Sequence, residues 1–333
     1  MLQWLLSLLG IQPRPTPATP PARKAPEPTR AFRPPPEEKP AEAPAEPASS
    51  PARTFLVSLC AEGEAPDLQD MAADDRVFLA GVLKRVRENQ LVIPLLPQAA
   101  MEISRLLANP NSHMDEFVRV LEADPSLSVE VLRIANSAFY GFSGPTQSVH
   151  NAVRRIGLNQ IRGLIIVAHL HGKVLQGGGF QVEASVLVDL SLALAQLGQE
   201  LASWLGVEPD AAYTRGVLSH VEHFVIMGAV SDVSRDHQRR IAPTQAGLLE
   251  AFRRCGPSVR ELTAKAWGLD AVMLDAPGGP PVRTALGQLE RAVVSRWTGE
   301  AVGFDVGTLP AERLAAGLRR VQSSAMGAGQ GGP

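Results

Sequence analysis

The groups best able to do chemistry are concentrated between residues 216 and 237. They comprise Gly216-Val-Leu-Ser-His-Val-Glu-His223 and the Asp232, Asp236 and His237 that follow. Imidazoles and carboxylates are competent zinc or manganese ligands, and a divalent ion would activate a water for hydrolysis. His220 and His223 are three residues apart and share one face of a helix. The competing interpretation is an ordinary histidine pair on a solvated helix face. His169 and His171 are two apart, point to different helix faces and make a poor pair. Gly177-Gly178-Gly179 has neither the spacing nor the following lysine of a phosphate loop, and no Gly-x-Ser-x-Gly elbow occurs. Cys60 and Cys255 lack a CxxC partner and an adjacent histidine, so both are expected to be buried structural thiols in a reducing compartment. No cofactor-binding pattern is present, and none is expected to be used.

The elements that must position these residues are helical. Phe78, Leu79, Val82, Leu83 and Val86 recur at spacings of three and four, as do Leu187, Leu190, Leu194, Leu197, Leu201 and Trp204. Asp124-Pro125 combines a cap residue with proline at the first helical position, and Ser112 with Asp115 resembles another helix start. Further helices are predicted at about 148–156, 159–175, 183–205, 209–227, 244–254, 257–268, 281–298 and 310–325. No segment sustains the alternation of a strand, and Leu164-Ile-Ile-Val167 is a buried helix by its flanks. The fold class is all-α.

Composition sets the boundaries. Residues 12–53 hold half of the 28 prolines, with Phe32 as their only aromatic residue, and read as a disordered Pro/Ala-rich linker. They tether an apolar segment, residues 1–11 with Trp4, too short for the ~20 residues that span a bilayer. It is either a short helix that docks on a partner or lies weakly on a membrane, or a tail packed loosely on its own domain. Residues 54–90 form a helical lead-in, 91–300 the main domain, and 301–333 a final helix with a Gly-rich tail. With 32 basic and 34 acidic residues the formal charge is −2, which offers no field for nucleic acid. Arg154-Arg155, Arg239-Arg240 and Arg253-Arg254 are solvated helix faces. A cytoplasmic location in a high-GC bacterium fits this composition.

The ordered motifs Pro94-Leu-Leu-Pro97, Asp124-Pro-Ser-Leu127, Leu132-Arg-Ile-Ala-Asn-Ser-Ala-Phe-Tyr-Gly141, Ser148 with Ala152, and Ile156-Gly-Leu-Asn159 resemble the HDOD domain. The resemblance extends over roughly residues 88 to 300. It implies a helical fold related to the HD metal-dependent phosphohydrolases, generally without the full metal set, used in signalling or regulation. The first histidine of the hydrolase pattern falls near Leu190, inside the apolar stripe. The His-Asp dyad falls on Ser219 and His220. The resemblance therefore implies a non-catalytic scaffold that binds an unidentified signalling protein. The alternative is a divergent phosphohydrolase or nucleotide sensor with a site rebuilt from His220, His223 and His237. Asn136 and Tyr140 are expected to form a tight helix corner, or else a ligand or partner surface.

Overall fold

The structure, a computed structural model, describes residues 50–61, 67–137, 140, 144–176, 179–275, 281–300, 302–303 and 311–321. Trp4, Gly141, most of the Pro-rich stretch and the Gly-rich end lie outside them. The described residues are helical and contain no strand.

Two helices precede the main domain: α1 (Pro51–Cys60) and α2 (Ala73–Arg87). The first begins inside the stretch assigned to the linker, because the Ser50 side chain accepts the Arg53 N–H and Pro51 suits the first turn. Four short helices follow: α3 (Gln98–Ala108), α4 (Met114–Glu122), α5 (Pro125–Ala135) and α6 (Val149–Ile156). Asp124 caps α5 by accepting the N–H groups of Ser126 and Leu127 at 2.9 and 3.3 Å, and Ser148 caps α6. The start of α4 differs from expectation by one residue. His113 is its N-cap, and the Glu116 side chain reaches back to the His113 N–H at 2.9 Å. Glu116 completes that reach where Asp115 would be too short and one position early.

The long helices α7 (Leu158–Gln176) and α8 (Gln181–Glu200) form the centre. Leu187, Leu190, Leu194 and Leu197 are each at most 1% exposed, and Val186, Val188 and Leu192 on other faces are equally buried. A helix that is apolar on all sides belongs in the interior. After α9 (Ala202–Leu205), helix α10 (Pro209–Val217) packs closely on α8. Gly216 allows this approach. A Cβ there would lie 2.5 Å from the Ala195 backbone.

Two predicted boundaries are corrected. The helix expected through 209–227 is interrupted by a 3₁₀ turn, Leu218–His220, and continues as α11 (Val221–Asp236). The two helices expected either side of Pro257 are one, α12 (Gln245–Trp267). Pro257 follows Gly256, whose missing Cβ relieves the pre-proline clash, and Cys255 and Val259 bury both halves in the core. Then come α13 (Asp270–Met273), α14 (Val282–Thr298) and α15 (Ala311–Arg320). Helix α14 packs on α8 and α1, and α1 also packs on α8. Among the described residues no helix is long and apolar enough to cross a membrane.

Candidate functional site

The 3₁₀ turn builds the site. Around the tightened backbone at Leu218–His220, side chains bond two of the main-chain carbonyls. The Ser219 hydroxyl donates to the Gly216 carbonyl at 2.7 Å, and the Ser219 carbonyl accepts from the Arg260 guanidinium of α12. His220 is only 1% exposed. Its Nδ1 lies 3.0 Å from both the Ser191 and Ser219 hydroxyls, and its Nε2 lies 3.4 Å from Glu290 Oε1 of α14. Ser219 has committed its proton to Gly216, so Ser191 is the hydroxyl able to donate to Nδ1, leaving Nε2–H toward Glu290. Burial raises the Glu290 carboxyl, but His220, His223 and Arg283 together hold it below its ordinary value.

His223 stacks on His220 with ring centroids 5.4 Å apart and meets Phe252 at 4.2 Å. Burial, with His220 and Arg260 nearby, lowers it well below the usual imidazole range. Behind these rings Glu222, 1% exposed, pairs with Arg260 and lies 3.5 Å from Arg283 of α14. His220, His223, Arg260, Arg283 and Glu290 surround a cavity of about 290 Å³, which Arg215 of α10 also lines.

Other candidates lie elsewhere. His237 is exposed at the end of α11, fourteen residues beyond His223, which is about 20 Å along a helix. Asp232 pairs with Arg235 at 3.0 Å and Asp236 with Arg85 at 2.5 Å. Leu190 is fully buried. Among the described residues no three histidine, cysteine, aspartate or glutamate side chains are grouped to hold a metal ion. The cavity wall instead carries the Arg260 cation, so its side chains do not fit a divalent metal centre.

Asn136 staples the corner after α5. Its side-chain amide donates to the Thr146 carbonyl at 2.8 Å and accepts from the Thr146 N–H at 2.7 Å. The Tyr140 hydroxyl hydrogen-bonds that of Tyr213 on α10. These contacts hold the corner together. His171 lies between Glu130, at 3.4 Å, and Ser185, at 3.2 Å, in a separate buried cluster.

The two thiols are buried, at 7% exposure for Cys60 and 1% for Cys255. Burial pushes the Cys60 thiol far up and that of Cys255 up to about 11. At pH 8 roughly one Cys255 in a thousand is thiolate. Ellman's reagent is expected to leave both unlabelled in the native protein and to titrate both in denaturant. Rapid native labelling of either would contradict their burial.

The sequence profile of the HDOD domain matches residues 93–276, more than half of the chain. The chain belongs to the HDOD family. In this HDOD protein α14, which supplies Arg283 and Glu290, begins beyond the matched segment. An uncharacterised Treponema pallidum (strain Nichols) protein is 32% identical over 84 residues, which are 25% of this chain and 16% of that protein. The HDOD chain thus spans a small part of that relative. Among solved structures, a Shewanella amazonensis SB2B protein provisionally assigned as a metal-dependent phosphohydrolase is 18% identical, with a TM-score of 0.48 over 77% of this chain and 96% of that one. An HDOD domain protein of unknown function from Geobacter sulfurreducens is 17% identical, with a TM-score of 0.42 over 73% and 88%. A Marinobacter aquaeolei VT8 protein with a provisional signal-transduction assignment is 22% identical, with a TM-score of 0.42 over 79% and 67%.

Proposed function

We propose that this HDOD protein is a non-hydrolytic signalling module that acts by binding a protein partner. The observation carrying this reading is the Arg260 guanidinium, bonded to Glu222 and to the Ser219 carbonyl at the turn where the hydrolase dyad would fall. A guanidinium there cannot ligate a divalent ion, and it holds the Glu222 carboxylate that could. Leu190 in the core and the distance of His237 support the same reading. The apolar first eleven residues, tethered by a Pro-rich linker, would add a second contact and raise avidity through effective concentration.

The test is a phosphate-release assay on mononucleotides and dinucleotides with added Mn²⁺ or Zn²⁺. The wild-type chain is expected to release no more than its His220→Ala variant. Turnover that depends on His220 would overturn the reading.

A further inference from the structure

Buried polar atoms are rarely left without a hydrogen-bond partner, and each exception asks for an explanation. Among the described residues five side-chain atoms are in that position. Three are nitrogens of residues that line the cavity described above: His220 Nε2, whose neighbour is Glu290 at 3.4 Å, His223 Nδ1 and Arg260 Nε. The side chains of His220 and Arg260 are 2% and 6% exposed. A fourth, Glu222 Oε2, belongs to the carboxylate behind Arg260. Four of the five unpartnered atoms therefore belong to one cluster of side chains at the cavity.

Arg215, Arg260 and Arg283 line the cavity beside the two imidazoles and the carboxylate of Glu290. Arg215 is committed to Asp275 at 3.3 Å and to the Ala271 carbonyl at 2.8 Å. Arg260 and Arg283 balance the Glu222 and Glu290 carboxylates in charge, so what the wall offers a ligand is spare guanidinium N–H groups and not a net positive charge. Arginine forks match the planar or tetrahedral oxygens of carboxylates and phosphates. A volume of about 290 Å³ lies at the small end of ligand pockets and exceeds the needs of a bare ion.

We propose that this cavity binds a small organic phosphate, its oxyanion held between Arg260 of α12 and Arg283 of α14, with His220 and His223 completing the donor set. The inference rests on the non-hydrolytic reading only in that the ligand is held and not cleaved. Arg260 and the histidines belong to the matched HDOD segment, whereas Arg283 and Glu290 belong to the helix that follows it. Bound phosphate would clamp α14 onto the domain. Because α14 also packs on α1, occupancy of the cavity would reach the helix to which the Pro-rich N-terminal stretch leads.

The test is titration of the full chain with AMP, glucose 6-phosphate and inorganic phosphate, followed by calorimetry and by ³¹P NMR, with chloride as the salt control. At least one phosphate ester is expected to bind more tightly than inorganic phosphate. Arg283→Ala, on a half-exposed side chain, is expected to weaken that binding by about tenfold or more with the melting temperature unchanged. Glu290→Gln is expected to tighten it by removing the repelling carboxylate. A purely structural role for the two residues would not move affinity in opposite directions. Absence of binding by all three probes, binding of inorganic phosphate alone, or equal affinity in wild type and Arg283→Ala would overturn the proposal. Release of inorganic phosphate from a bound ester in the NMR tube would leave the site standing and would sink the non-hydrolytic reading instead.

Discussion

Arg260→Ala is expected to lower the unfolding free energy by about 3–5 kcal/mol, the range for removing one partner of a buried ion pair. The loss comes less from the missing attraction than from the carboxylate left behind. Glu222 is 1% exposed, and its Oε2 already lacks a partner. Without Arg260 its remaining cation is Arg283 at 3.5 Å, on a side chain that is 49% exposed and therefore screened. The Ser219 carbonyl would lose its donor at the same time. Urea denaturation at pH 7 measures the effect. A double variant, Glu222→Leu with Arg260→Met, is expected to recover most of the loss, since both charges leave together and apolar groups of similar volume replace them. Loss below about 1 kcal/mol in the single variant would mean that water reaches the pair and that the cavity floor is not closed.

Gly216→Ala is expected to cost about 3 kcal/mol, the upper part of the overpacking range, because the new methyl meets main chain and not a movable side chain. Its Cβ would stand 2.5 Å from the Ala195 N and Cα and 2.6 Å from the Leu194 carbonyl carbon. Helices α8 and α10 would have to separate, taking with them Leu194 and Arg215 of the cavity wall. The control is Gly228→Ala on α11, where an added Cβ meets nothing within 4 Å. That substitution is expected to stabilise the chain by about 0.5–1 kcal/mol through helix propensity alone. Thermal and urea unfolding of the two variants should therefore shift in opposite directions. A neutral Gly216→Ala would contradict the close approach of α8 and α10.

The fold was legible where a local rule sufficed. Asp124-Pro125 marks a helix start because cap and proline act within one turn, and Leu187 to Leu201 mark a central helix by their spacing. Pro257 misled because the rule that proline ends a helix is local, whereas Gly256 and the burial of Cys255 and Val259 hold the helix together from outside. The 3₁₀ turn at Leu218–His220 was invisible for a related reason. Its apolar spacing barely differs from that of an α-helix, and tertiary bonds from Arg260 fix it.

Of the site, His220 and His223 were visible as residue types, but their neighbours were not. Arg260 falls in the row Phe252, Gly256, Arg260, Ala264, and Glu290 in the row Leu286, Glu290, Val294. A charged residue in an otherwise apolar or small i, i+4 row signals a buried ion, and that signal was available. Which charges meet was not, since Glu222 and Arg260 are 38 residues apart and come together only through the packing of α11 on α12. Asn136 shows the reverse: its partner Thr146 is ten residues away, within reach of a loop-corner argument from sequence.

In the non-hydrolytic reading proposed above, the Arg260 guanidinium at the Leu218–His220 turn takes the place of a metal centre. Elemental analysis of the purified, untagged protein, before and after a chelator, tests this most directly. The prediction is no stoichiometric divalent metal in either sample and an unfolding midpoint indifferent to the chelator. A stoichiometric ion, removed by the chelator and absent from His220→Ala, would contradict the account and return the cavity to hydrolysis.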